Sequence, residues 1–314
     1  MNDTPSPASP LSRRRFIRET TLAASALGLA GNAVLAAAEP AKPSGRIAYP
    51  TCVFSKPFQD LNAEKTADFV ASIGWDGIEC PVRAKGQIEP EKAPDLLPAY
   101  VEALKKRGLE LFIATTDIQR IDQKHAESTL RALAKQGVKR LRLGSFKYDL
   151  SRSPASQLVN VGAAVRDIAA ACKELGLQAG FQNHSGRTYV GAPIWDVYSI
   201  IKDLDPRHMG FCFDIGHATI EGGLAWPIQA KLAEPFYTAV YVKDFVWKKT
   251  DKGWRESWCL LGDGMVDRAF FDTLKKSSYR GPICQHHEYR WANETEMATM
   301  MRHDLNVLKT WLAV

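Results

Sequence analysis

From Arg46 onward, short apolar runs alternate with longer stretches in which apolar and polar residues recur at helical spacing. The short runs are Ile47–Val53, Gly77–Cys80, Leu109–Thr115, Arg140–Leu143, Gln178–Gln182, Met209–Asp214, Ala239–Lys243 and Pro282–His286. Their length and β-branched or aromatic content predict buried strands. Between them the pattern predicts helices over Asn62–Ile73, Leu96–Lys106, Ala126–Gln136, Ala163–Leu175, Ile194–Lys202, Pro227–Ala233, Asp267–Lys276 and Glu294–Leu312. Glycines at 108, 137 and 176 stop three of these helices where a left-handed C-cap is expected. Phe245 to Val266 reads as one long strand-to-helix loop. Eight strands, each followed by a helix, with no second composition regime, predict a single α/β domain, a (β/α)8 barrel. A doubly wound open sheet should carry a glycine-rich phosphate turn after its first strand. The chain instead has Cys52-Val53-Phe54-Ser55-Lys56 there.

The N-terminal end follows a different pattern. Ser12-Arg13-Arg14-Arg15-Phe16-Ile17-Arg18 has the form of a twin-arginine export signal. The Ala- and Gly-rich run from Leu22 to Leu35 and Ala36-Ala37-Ala38 complete a signal peptide over residues 1–38. That run is shorter than the ~20 apolar residues needed to span a bilayer. Residues 39–45 then read as a linker and 46–314 as the barrel, with a periplasmic or secreted location expected. The signal peptide holds four Arg against Asp3 and Glu19, so its removal lowers the formal charge from +6 to +4. No Lys/Arg cluster follows, which gives no support to nucleic acid as a partner. No membrane partner is expected after cleavage, and the oligomeric state is left open. The six Cys (52, 80, 172, 212, 259 and 284) show no CxxC spacing. Most fall on strand-like runs, so buried free thiols are expected, although an exported protein permits a disulfide.

In a barrel of this kind the chemistry lies at the C-terminal ends of the strands. Four of the seven His fall there: His184, His217, His286 and His287. Glu79, the Thr115-Thr116-Asp117 run, Lys243, Asp244 and Glu288 do too. Strand parity puts Gln182 with His184, Cys212 with Asp214, Tyr241 with Lys243, and Cys284 with His286 and Glu288. With Asp214 facing inward, the mouth would hold Gln182, His184, Asp214, His217, Lys243, His286 and Glu288. Oxygen and imidazole donors without a thiolate cluster suit Mn, Mg, Co or Zn in a non-structural site. His287, on the other face, reads as structural. Lys243 has two readings, a salt bridge beside Asp244 or a charge that stabilises an enolate. Trp195, Trp226, Trp247, Trp254, Trp258 and Trp291 all follow strands five to eight. Their faces could stack on sugar rings, or hold the long loop together.

Six motifs in order resemble the xylose isomerase-like barrel superfamily, the sugar phosphate isomerase/epimerase group. They are Gly74-Trp75-Asp76-Gly77-Ile78-Glu79, Gln182-Asn183-His184, Phe213-Asp214-Ile215-Gly216-His217, Val242-Lys243-Asp244, Gly262-Asp263-Gly264-Met265-Val266-Asp267 and Tyr279-Arg280-Gly281-Pro282-Ile283. The resemblance implies four metal ligands from strands five to eight, commonly Glu, Asp, His and Glu. Only the Asp keeps its place, as Asp214, with His217 beside it as a substrate-site residue. Gln182, Tyr241 and His286 stand at the other three positions, with Glu288 two residues further on the same face. The expected metal set is therefore Asp214, Gln182, His286 and Glu288 in a reorganised site, with loss of the metal as the alternative.

The reaction implied is proton transfer beside a sugar carbonyl through an enediolate, assisted by a divalent metal, on a small-molecule carbohydrate. His184, His286 and Glu288 would act as acid or base and Lys243 as the electrostatic group. His217, Glu79, Trp247 and Trp258 would contact the substrate. Isomerisation or epimerisation is the first expectation, and β-elimination from an oxidised (3-keto) sugar or glycoside is the second. A periplasmic sugar-binding barrel without catalysis is an alternative of a different class. A metal-dependent nuclease, as in the related endonuclease IV, would need more ligands and a basic face.

Overall fold

A computed structural model describes residues 48–313. The expected signal peptide, linker and first barrel residues up to Ile47 lie outside the described residues. Ten strands are described: β1 (Thr51–Phe54), β2 (Gly77–Pro81), β3 (Glu110–Thr115), β4 (Arg140–Arg142), β5 (Gln178–Gln182), β6 (Met209–Asp214), β7 (Tyr237–Val242), β8 (Asp244–Thr250), β9 (Gly253–Cys259) and β10 (Ile283–Gln285). The α-helices are α1 (Ala63–Ile73), α2 (Ala93–Lys105), α3 (Ala126–Lys135), α4 (Pro154–Leu175), α5 (Trp195–Ile201), α6 (Ile215–Gly222), α7 (Trp226–Ala233), α8 (Ala269–Lys276) and α9 (Glu294–Leu312). Strands β1 to β7 and β10 close into an all-parallel barrel in the order β1-β10-β7-β6-β5-β4-β3-β2. This is the (β/α)8 barrel that the alternation of apolar runs predicts.

Three elements depart from that expectation. The stretch expected as a loop forms an antiparallel hairpin, with Asp244 paired to Cys259 and Thr250 to Gly253. Aromatic residues recur at a spacing of two on its first strand (Phe245, Trp247), a period-two signal masked by Val246 between them and by the run of charges at its tip. The chain after Asp214 turns directly into α6, because the Asp214 side chain accepts the His217 N–H at 3.1 Å as an N-cap. Helix α4 also begins at Pro154, nine residues before the expected Ala163.

The barrel interior is filled by Cys52, Phe54, Phe112, Ile113, Cys212, Ala239, Tyr241 and Cys284, all buried. Strand parity sends these side chains inward except on β3, where a register shift against β2 lets the adjacent Phe112 and Ile113 both join the set. The next inward positions on the same strands, Asp214, Lys243 and His286, then emerge at the mouth. All six Cys are free thiols. In the interior they serve as small apolar filling.

The β7 end is fixed by one carboxylate. Asp244 accepts backbone N–H groups from Phe245 at 2.8 Å, Gly262 at 3.0 Å, Gly264 at 3.1 Å and Val266 at 3.0 Å. Two sequence motifs, Val242-Lys243-Asp244 and Gly262 to Val266, are therefore one device. Gly264 has no room for a Cβ, which would meet Asp244 Oδ1 and the Phe245 carbonyl. The device ties both ends of the hairpin to the barrel and leaves Lys243 free to pair elsewhere. On the far side, His287 is buried against Trp75 and Tyr289, with Nε2 3.5 Å from Asp304 Oδ2. Burial, partly opposed by Asp304, holds its ring down to about 4.

Two outcomes follow. Asp244→Asn should lower stability by about 2–3 kcal/mol, since a neutral amide leaves buried N–H groups poorly satisfied, and urea unfolding will measure it. Because His287 is protonated less readily when folded than unfolded, stability should be full above pH 6.5 and fall as pH drops toward about 4. The span corresponds to about 3 kcal/mol. His287→Phe should remove that part of the pH dependence, read as the difference between the two unfolding profiles over this window.

Candidate active site at the barrel mouth

Barrel strands β2 to β7 and β10 deliver the side chains of the site. Glu79 ends the run of inward residues on β2 and is fully buried. Its Oε1 accepts from Tyr241 Oη at 2.9 Å and from Thr115 Oγ1, and its Oε2 accepts from His286 Nε2 at 2.8 Å and Cys284 Sγ at 3.2 Å. The Arg142 guanidinium lies 3.9 Å from Oε1. Burial alone would raise this carboxyl. The His286 ring, its hydrogen bond, Arg142 and Thr115 outweigh burial and hold it at about 2. Arg142, at the end of β4, packs over Phe54 at 5.3 Å and Tyr241 at 5.9 Å.

Above this layer sits Lys243. Its Nζ lies 3.0 Å from Glu288 Oε1, 3.4 Å from Asp214 Oδ2 and 4.6 Å from the Trp258 ring centroid. Burial raises the Glu288 carboxyl, but Lys243 outweighs it, so the group falls to about 2. The Lys243 stem runs against Gly216, where an added Cβ would be 2.8 Å from Lys243 O and 3.0 Å from its Cγ. A side chain at 216 would therefore displace the lysine. Asp214 is anchored on its backbone as well. Asn183 accepts the Asp214 N–H at 2.8 Å and donates to the Asp214 carbonyl at 2.9 Å.

Gln182 bridges the two layers. Its Oε1 accepts from Arg142 Nη1 at 2.7 Å and its Nε2 donates to Asp214 Oδ2 at 2.9 Å. A guanidinium has only donors and a carboxylate only acceptors, so the amide can face no other way.

Three imidazoles surround the lysine. His184 Nδ1 donates to the Ser185 carbonyl at 2.8 Å, which leaves Nε2 with the lone pair. Its ring stacks on Tyr189 at 4.3 Å and on His217 at 3.9 Å. Burial, then Lys243, holds His184 below its ordinary value. His217 is almost fully buried, with Nδ1 2.8 Å from Ser185 Oγ and Nε2 3.6 Å from Asp214 Oδ2. Burial and the nearby Lys243 keep it well below 6.5 and therefore neutral. His286 is sandwiched between Phe54 at 4.7 Å and Tyr241 at 4.3 Å.

Beside the mouth runs a groove of about 790 Å³, reached through Ser185 and lined by Arg187, Trp195, Glu221, Trp247 and Trp254. Trp195 and Trp254 are 56% and 63% exposed. The hairpin thus divides its tryptophans between two tasks. Trp247 and Trp254 face the groove, whereas Trp258 lies beneath the Lys243 ammonium.

The residues expected at the mouth do come together there: Gln182, His184, Asp214, His217, Lys243, His286 and Glu288. Glu79 lies beneath them rather than on an open wall. Lys243 pairs with Asp214 and Glu288, and the salt bridge to Asp244 does not form because that carboxylate holds the hairpin. Arg142 and Ser185 were missing from the expected set. The signal for Arg142 was parity, an arginine at the end of a strand otherwise buried in the barrel.

As arranged, these side chains do not fit a divalent cation. Gln182 Oε1 faces a guanidinium, Asp214 and Glu288 share an ammonium, and His286 Nε2 faces Glu79. The donor atoms of Glu79, Cys284 and His286 lie within 4.8 Å of one another. They are hydrogen-bonded to each other, however, beside Arg142, and burial pushes the Cys284 thiol well above its ordinary value. A thiol is not the thiolate that a metal takes.

The family model for a xylose isomerase-like TIM barrel matches residues 67–311. No curated protein matches the chain in sequence. Among solved structures, it is similar to a 3-keto-D-glucoside 4-epimerase from E. coli, with 19% identity over 83% of this chain and 99% of that one and a TM-score of 0.65. It is similar to a D-psicose 3-epimerase from Clostridium cellulolyticum, in a structure with D-tagatose, with 13% identity over 84% and 100% and a TM-score of 0.67. A xylose isomerase-like TIM barrel protein from Mycobacterium smegmatis in complex with magnesium gives 19% identity over 85% and 100% and a TM-score of 0.63. At these identities the structural likeness establishes the fold. Together with a family model that spans most of the chain, it shows that this protein belongs to the xylose isomerase-like TIM-barrel family.

Proposed function

We propose that this protein is a carbohydrate isomerase or epimerase that moves a proton at the carbon next to a sugar carbonyl. The observation that carries this reading is the placement of two imidazoles, His184 after β5 and His286 at the end of β10, on either side of the Lys243–Asp214 pair. One imidazole nitrogen takes the proton from carbon. The C–H electron pair becomes the carbon–carbon double bond of an enediolate, and the former carbonyl oxygen takes the negative charge. A proton returned to the opposite face by the other imidazole, in its doubly protonated form, inverts the carbon. A proton returned to the neighbouring carbon, with the hydroxyl proton passing to the former carbonyl oxygen, moves the carbonyl. Lys243 supplies a fixed positive charge for the oxygen, which is worth more in a partly dry mouth than in water. His184 suits the role of base because it is neutral near pH 7 and its Nε2 lone pair is free.

The epimerases among the similar structures support a sugar substrate. The twin-arginine signature at Ser12–Arg18 supports action in the periplasm or outside the cell, and hence an unphosphorylated sugar. The groove favours one second reading. With room for a further ring or an aglycone beside the mouth, the same enediolate can expel a group from the next carbon, which is β-elimination from a 3-keto glycoside.

Proton NMR of 3-keto glucosides and free ketohexoses incubated in deuterated water tests both. Deuterium should enter beside the carbonyl, with a new epimer if the substrate stays intact and with released aglycone if elimination dominates. No exchange on any of these sugars, with or without added Mg²⁺ or Mn²⁺, refutes the proposal and favours a binding protein. His184→Gln should lower kcat by about 10²- to 10⁴-fold. In the wild type kcat/KM should fall on the acid side with a midpoint below the ordinary histidine value of 6.5, as His184 gains its proton. That limb should vanish in the variant.

A further inference from the structure

We infer that Lys243, with Arg142 beneath it, takes the place of a divalent cation, so that the mouth binds no such metal and needs none. The inference deepens the reading above by naming the group that bears the enediolate charge. It starts from Gln182. Hydrogen-bond logic turns its oxygen toward Arg142 and its N–H groups toward Asp214. A residue that could have shared a cation with Asp214 instead donates to it. Both Asp214 oxygens are then used, Oδ1 by the His217 N–H and Oδ2 by Gln182 and Lys243. Glu288, the remaining carboxylate of the mouth, holds the same ammonium from the other side.

A dication placed among these groups would meet two fixed positive charges and displace at least three hydrogen bonds. The ammonium already has what a Lewis acid needs in such a site. It is held between two carboxylates, rests on the Trp258 face, and is kept in place by the absence of a side chain at Gly216. It therefore needs little reorganisation when charge develops on the substrate oxygen.

The test is a calorimetric titration of the full protein with MnCl₂, alongside deuterium exchange before and after EDTA and dialysis. The wild type should show no saturable Mn²⁺ binding below about 1 mM, and its exchange rate should be unchanged by the chelator. Gln182→Glu combined with Lys243→Ala should create a Mn²⁺ site that a further Asp214→Ala change removes. Lys243→Met should lower kcat by about 100-fold or more with little change in KM, and Lys243→Arg should restore part of it. One Mn²⁺ bound to the wild type at micromolar concentration, lost in Asp214→Ala, overturns the inference. So does exchange that EDTA abolishes and Mn²⁺ restores. The titration gives its answer even if no sugar tested undergoes exchange, so a failure of the proposed reaction is separable from a failure of the metal-free site.

Discussion

The constraint on which the rest depends is that charge inside a closed barrel must be paired. Taking an ion out of water costs several kcal/mol in practice, and only close partners offset it. The mouth buries two carboxylates fully, Glu79 and Asp214, and it buries Arg142 and Lys243 with them. None is left alone. Glu79 alone gathers groups from β3, β4, β7 and β10, so that one carboxylate links strands on several sides of the barrel. Losing any member would strand its partner in a low dielectric, which is why such a network positions side chains more firmly than it stabilises the fold.

The consequence for chemistry is a graded mouth. The lower layer, Glu79 with Arg142, Tyr241, Cys284 and His286, is closed and orients one imidazole. The upper layer, Asp214 with Lys243 and Glu288, presents one ammonium to the opening, where Glu288 remains 31% exposed at its side chain. Among the described residues, Gln182 is the only side chain that bonds to both Arg142 and Asp214, and its neutral amide couples the two layers without adding charge. The hairpin of β8 and β9 serves both the layer and the groove along one face. Its register puts Trp247, Trp254 and Trp258 on the same side, with Trp258 at the barrel end against Lys243 and Trp247 and Trp254 nearer the tip along the groove.

Much of this was legible in the sequence. The alternation of short apolar runs with helical stretches defines the barrel, since each strand buried on both faces must be followed by an element that covers it. Strand parity also brings Gln182, Asp214, Lys243 and His286 to one end and one face, because the period of two leaves no freedom in which way a side chain points. The Cys residues in the interior follow from the same rule.

Which atoms pair was decided only by closure of the barrel. Glu79 and His286 are 207 positions apart, and no spacing rule relates them. Val242-Lys243-Asp244 invites a local salt bridge, yet the folded loop brings four backbone N–H groups to Asp244 and sends Lys243 to Asp214. Arg142 acquires its importance from Gln182 and Glu79 on neighbouring and distant strands, which is also why the amide of Gln182 turns as it does. Local sequence sets direction along a strand. The partners across the barrel, and with them the charge that a substrate meets, are set by tertiary contact.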